Sequence, residues 1–257
     1  MVQPKIVSLH IYPVKSLGGM TVPALELVPA GLRGDREFVI TDPAGKFLTQ
    51  RQLPRMAQIQ AHWDGVELRL QKGGAVFRIP TPQMNSLERS PVTVWADTVL
   101  AQPVSKEADE FLSEALGQSV HLWKLADPRR GKSKHGEEYE YGFADQAPLN
   151  LMTLESLEAL RKHTGEDLQV ATFRPNIVVE GNHAWSEETW SEVNLNGITF
   201  EVLKPTSRCK IITQDPATGE FKNPNVLQAL KNEVKGPQPK ANFGLHLRTS
   251  IPATLVP

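Results

Sequence analysis

Glu37-Phe38-Val39-Ile40-Thr41-Asp42-Pro43-Ala44-Gly45-Lys46-Phe47-Leu48-Thr49 is a pair of β-rich runs flanking a turn. Pro43 fixes φ and Gly45 accepts a positive one, so the chain reverses here. The same rhythm recurs on both sides. Residues 6–12, stopped by Pro13, and residues 59–63, 66–70, 76–79 and 92–95 are short strand-like runs punctuated by Gly, Pro, Asn and Asp. This spacing belongs to a small sandwich or barrel, and twenty prolines argue against a mainly helical chain.

Helical signals are few and local. Ala108, Phe111, Leu112, Ala115 and Leu116 repeat with the spacing of a buried stripe, with Ser105 as N-cap and Gly117 just past the end. A second helix is predicted over 153–163, with Leu154, Leu157 and Leu160 inward and Gly165 beyond it. Strands return over 176–180, 193–195 and 198–203, the last two joined by Asn196-Gly197, a strong hairpin signal. A weaker helix covers 226–234. Residues 127–142 carry a basic half and an acidic half without apolar periodicity, and are expected to form a long exposed loop. The expected class is α+β, predominantly β: a β-barrel-like domain over 1–120 and a second domain with a few helices over 121–257.

A chain of 257 residues buries roughly 70–75% of its unfolded surface. Its 28 Lys and Arg balance 29 Asp and Glu, so no global charge points to nucleic acid or an anionic membrane. Any anion site must come from local clustering. No signal peptide is visible, and no apolar run approaches the ~20 residues of a membrane helix. A single cysteine excludes a disulfide scaffold and fits a reducing compartment. The expectation is a soluble, cytoplasmic protein.

That cysteine, Cys209, lies in Lys204-Pro205-Thr206-Ser207-Arg208-Cys209-Lys210. Alone, it forms no intramolecular disulfide and no multi-cysteine metal site. A buried small hydrophobe, a nucleophile and a single thiolate ligand remain open, and flanking cations favour the thiolate. Four other stretches carry candidate chemistry. Lys15-Ser16, backed by Gly18 and Gly19, offers a cation, a hydroxyl and open backbone N–H groups to an anion. Arg33, Asp35 and Arg36 head one strand and Arg51 follows its partner; spacing alone favours surface ion pairing there. Arg174 and Asn176 flank Pro175, and Asp145 follows the polar stretch. The seven histidines show no spacing suited to zinc.

Taken in order, Pro13-Val14-Lys15-Ser16, Gly31-Leu32-Arg33-Gly34-Asp35-Arg36, Thr49-Gln50-Arg51-Gln52, Phe173-Arg174-Pro175-Asn176, and Ser207-Arg208-Cys209 with Asp215-Pro216-Ala217-Thr218-Gly219 resemble MOSC-domain proteins preceded by their N-terminal β-barrel domain. The family includes the mitochondrial amidoxime-reducing component and bacterial YcbX-like proteins. The resemblance implies a MOSC β-barrel over 121–257 and a molybdenum-cofactor-dependent reductase of N-hydroxylated compounds. It places Cys209 as the molybdenum ligand, the pterin supplying the other sulfurs. Lys15, Ser16 and Arg36 would hold the phosphate, and Arg174 and Asn176 the pterin. Ser207 and Arg208 flank the ligand, and Asp145 is a proton donor or orienting group near the metal. All these residues should then converge on one pocket. Family members usually continue past the position of Pro257 into a closing strand, and some carry a four-cysteine ferredoxin domain. A shortened chain, or electrons from a separate redox partner, is therefore expected. The alternatives are a non-catalytic carrier of the cofactor or of sulfur, a thiol-dependent hydrolase or transferase, and an inert Cys209.

Overall fold

The Pro43–Gly45 turn forms as expected in the computed structural model, which describes residues 2–81, 88–234 and 240–257. Gly45 takes φ +78°, and the Asp42 carboxylate accepts from the Ala44 and Lys46 N–H groups at 3.0 and 2.9 Å. The Leu48 N–H reaches back to Ile40 O at 2.8 Å. Strand Phe38–Thr41 edges an antiparallel four-stranded sheet, followed in space by His121–Leu125, Asp97–Pro103 and Ser90–Val94. A second sheet, Ile59–Trp63, Glu67–Lys72 and Ala75–Pro80, shares its core. Phe38, Met56, Ile59, Leu68 and Leu70 are fully buried there.

Helix Lys106–Leu116 packs Ala108, Leu112 and Leu116 into the same core. The Ala108 N–H donates to Ser105 Oγ at 3.1 Å, and Gly117 closes the helix at φ +73°. Such a cap is worth about 1 kcal/mol. Strands account for 42% of the structure and helices for 20%, so the chain is predominantly β.

A seven-stranded sheet runs in the order Glu192–Leu195, Ile198–Ser207, Asn242–Arg248, Leu149–Thr153, Ile177–Glu180, Lys5–Ile11 and Met20–Val22. Among its described strands, Leu149–Thr153 and Ile177–Glu180 are the one parallel pair, and Val2 adds a single parallel bridge to Val193. Parallel strands need a long crossover, and helix Leu154–Thr164 lies within it. Asn196 and Gly197 both take positive φ, as their two-residue hairpin demands. Strand pairing does not follow chain order. Lys5–Ile11 sits beside Ile177–Glu180, and Leu25–Val28 pairs with Ala253–Leu255.

One expectation is overturned. Residues 127–142 are not a long loop: Arg129–Lys132 and Glu138–Tyr141 form an antiparallel hairpin. Its two halves neutralise each other across the strands, Arg130 against Glu140 at 3.7 Å and Lys132 against Glu138 at 3.8 Å. Gly131 faces Tyr139 in register, and a Cβ there would strike the Tyr139 ring. Cross-strand charge pairs and an aromatic over glycine replace the apolar alternation that marks most strands.

Candidate functional site

A turn, a bend and the C-cap of the short helix Val170–Phe173 build the site, each with a non-glycine residue in left-handed backbone: Ser16 at φ +68°, Arg36 at +48° and Arg174 at +51°. Each such residue costs on the order of 1–3 kcal/mol, and such strain clusters at functional positions. The three are tied together. The Gln50 side-chain amide donates to Ser16 O at 2.8 Å. Arg36 Nη2 donates to Arg174 O at 3.0 Å, and Arg174 Nη1 to Leu17 O at 2.6 Å. Both guanidiniums lie 4.3 Å from the centre of the buried Tyr12 ring.

Lys15 is buried, with only 6% of its surface exposed. Its ammonium donates to Phe143 O at 2.7 Å and ion-pairs with Asp145 Oδ1. Burial works to raise the Asp145 pKa, but the Lys15 ammonium and the Trp95 indole N–H at 3.1 Å outweigh it. The carboxyl is held well below the usual carboxylate range, so Asp145 is ionised. The polar hairpin contributes here too: Arg129 Nη1 donates to Ala144 O at 2.6 Å, beside Asp145.

Asn176 is fully buried and joins three strands, accepting from Asn150 N at 3.1 Å and donating to His10 O at 3.2 Å. Strand Ile198–Ser207 ends at Arg208. Its guanidinium donates to Phe243 O at 2.8 Å, Phe173 O at 2.7 Å and Asn150 Oδ1 at 3.2 Å. Cys209 follows as a half-buried free thiol. Among the described residues no hydrogen bond joins it to a histidine or carboxylate, and no group of three or more His, Cys, Asp or Glu is arranged to hold a metal.

Lys15, Ser16, Arg36, Asp145, Arg174, Asn176, Ser207, Arg208 and Cys209 all line one cavity of about 160 Å³. Ser207 lies at its margin, exposed, with its hydroxyl turned to Asn242 Oδ1 at 3.0 Å. Surface pairing holds for Arg33 with Glu26, but Arg36 forms a sheltered pair with Asp35, Nη1 lying 2.7 Å from both carboxylate oxygens.

The charge balance of the wall is uneven. Lys15, Arg36, Arg51, Arg174 and Arg208 line it, with Asp145 the one carboxylate among the lining residues. Among the described residues, Arg174 and Arg208 donate only to neutral oxygens. Desolvation, with a contribution from nearby Arg36, lowers their pKa values to about 10 and about 9. Sheltered cations that donate to no carboxylate are costly unless an anion meets them.

Several lining residues escaped the sequence reading. Asn150 is a polar residue inside the wholly buried strand Leu149–Thr153, which is itself a legible signal. His246 sits among buried apolar residues of Asn242–Arg248. Desolvation and the nearby Arg208 and Lys204 push its pKa down to about 3, and its Nδ1 has no hydrogen-bond partner. A second cavity of about 340 Å³ shares Gln50, Thr172, Arg174 and Ile211 with the first.

Residues 3–119 match the family model of the MOSC N-terminal beta barrel domain, and residues 138–256 that of the MOSC domain. The chain is a MOSC-domain protein. Its relatives include two kinds. It is 28% identical to molybdenum cofactor sulfurase of Homo sapiens, over 94% of this chain and 30% of that protein. The Caenorhabditis briggsae sulfurase is 29% identical over 96% of this chain and 34% of its own length. The chain thus spans only about a third of these sulfurases. Mitochondrial amidoxime-reducing component 1 of Homo sapiens is 27% identical, over 88% of this chain and 71% of that protein. Among the described residues, no helix is long and apolar enough to cross a membrane.

Proposed function

We propose that this MOSC protein holds a molybdenum cofactor in the Cys209 cavity and reduces N-hydroxylated compounds such as amidoximes and hydroxylamines. The observation that carries the reading is the pair of sheltered guanidiniums, Arg174 and Arg208, without carboxylate partners on the wall that presents the free Cys209 thiol. Such a wall suits an anionic ligand that also offers a soft metal.

The donor set fits that cofactor. Lys15, Ser16 and Arg36 would hold its phosphate, Arg174 and Asn176 would meet the pterin, and Arg208 would offset the charge beside the thiolate. The adjoining 340 Å³ cavity gives the organic part room. Cys209 would supply the one protein ligand to the metal. When bound, the cofactor supplies two-electron transfer and oxygen acceptance. Because Asp145 is ionised, it serves as an acceptor that orients substrate N–H groups, not as a proton donor. His246, neutral and sheltered, adds an acceptor without adding charge.

The test is molybdenum and pterin content of wild type and Cys209→Ala from a cofactor-competent host. Near-stoichiometric metal in wild type, lost in the variant, supports ligation. Absence of both from wild type would sink the reading. The sulfurase relatives favour a second reading, a carrier of cofactor or of sulfur, because the chain aligns with them over nearly its whole length. Turnover of a hydroxylamine with an artificial electron donor separates the two. In the reductase reading, electrons come from a ferredoxin-like domain or a separate redox protein.

A further inference from the structure

The hairpin between Ser90–Val94 and Asp97–Pro103 turns on two residues, Trp95 and Ala96, because Val94 and Asp97 are direct partners. Trp95 takes φ +59°. Two-residue hairpin turns favour glycine at such a position, and a bulky side chain there is an outlier that asks for a reason. Burial is not the reason, since Trp95 is 44% exposed. Its contacts are. The indole N–H donates to Asp145 Oδ1 at 3.1 Å, the Arg51 guanidinium lies 4.4 Å from the ring centre, and the Phe47 ring lies 4.9 Å away.

Asp145 and Arg51 both line the Cys209 cavity, so Trp95 stands at its rim. The other side of the turn is anchored to the same segment. Asp97 accepts from Arg129 at 3.0 and 2.6 Å, and Arg129 in turn holds Ala144 O. The donors to Asp145, Lys15 and Trp95, both fall on Oδ1. Oδ2 is left without a donor among the described residues.

We infer that Trp95 is a positioning residue for substrate recognition: with Lys15 it fixes the Asp145 carboxylate through Oδ1, leaving Oδ2 to accept from the N–H groups of a planar amidoxime or hydroxyguanidine. The inference deepens the reductase reading and rests on it for the substrate class. It gives the strained turn a purpose that glycine could not serve.

The test uses the cofactor-loaded protein, benzamidoxime and an artificial electron donor. Trp95→Phe keeps a ring beside Arg51 and Phe47 but removes the N–H. It should raise KM about tenfold and leave kcat within about twofold, the effect of one charge-assisted hydrogen bond made in the ground state. In an Asp145→Asn background the same change should shift KM by no more than about twofold, because the two residues act as one unit. Equal effects in both backgrounds would overturn the inference. Trp95→Gly suits the turn and should fold and share the KM defect; an unfolded Trp95→Gly beside a Trp95→Phe with unchanged KM would make the residue structural only. A second readout needs no turnover. Acrylamide should reach Trp95 more readily in Asp145→Ala, which removes the acceptor, than in wild type, with Trp95→Phe defining the contribution of this indole. Unchanged quenching would sink the positioning contact. If wild type reduces no N-hydroxylated compound, the function and the substrate class fall together, and quenching alone decides whether Trp95 holds Asp145.

Discussion

Two basic clusters in this chain look alike on paper and behave oppositely in space. The hairpin Arg129–Lys132 with Glu138–Tyr141 sets Arg130 and Lys132 against Glu140 and Glu138, at an exposed surface. The wall around Cys209 gathers Lys15, Arg36, Arg51, Arg174 and Arg208 from five separate stretches of chain and, among the described residues, leaves two of them donating only to neutral oxygens. One cluster is already neutralised. The other is unfinished without an anion. Counting charges would have favoured the hairpin as the binding surface, whereas asking which charges lack partners picks out the cavity.

The sharpest way to break this contrast is Cys209→Ala. Metal content should fall to background while the thermal midpoint of the metal-free protein changes little, because the thiol is half-buried and makes no hydrogen bond among the described residues. Elemental analysis beside calorimetry checks both halves.

Next in size is Arg174→Gln. One hydrogen bond to a charged group is worth about 1.5–3 kcal/mol, so binding of a free pterin should weaken by roughly 10- to 100-fold. The measurement is the dependence of the thermal midpoint on ligand concentration, since a ligand that binds only the folded state raises it. Equal midpoint shifts in wild type and variant would erase the distinction between the two clusters.

A smaller effect should follow pH. His246 titrates near 3 when folded and near 6.5 when unfolded. Between those values the unfolded chain binds the extra proton, so stability falls as pH drops from 6.5 toward 3. His246→Gln should flatten that part of the stability profile, read by denaturant unfolding at pH 4.5 and 7. A profile of unchanged steepness would mean that His246 does not report the sheltered cavity.

The smallest effect belongs to the hairpin. Glu140→Gln removes an exposed pair and should cost about 0–1 kcal/mol while leaving cofactor content untouched. Loss of cofactor in this variant would show that the hairpin charges are not the self-contained set described here.

How much of this was legible in the chain depended on the range of the forces involved. Capping, turn and stripe signals are local, so Ser105, Gly117, the Asn196-Gly197 hairpin and the Pro43–Gly45 turn were readable. The 127–142 hairpin was not, because its stability comes from cross-strand charge pairs and an aromatic over Gly131. The nine candidate site residues were chosen through a family resemblance, and the fold brings all of them to one cavity. Composition alone could not separate Arg36, sheltered with Asp35, from Arg33, exposed with Glu26. His246 and Asn150 stayed hidden because a polar residue in a buried strand announces a need for a partner without naming it.

The strand order also sets a timetable for synthesis. Lys5–Ile11 is made long before its partner Ile177–Glu180, and Arg208 relies on Phe243 O inside Asn242–Arg248. On the ribosome the cavity therefore stays incomplete until Asn242–Arg248 has emerged from the exit tunnel. Any cofactor must be received after that strand is in place, not while the earlier walls are being made.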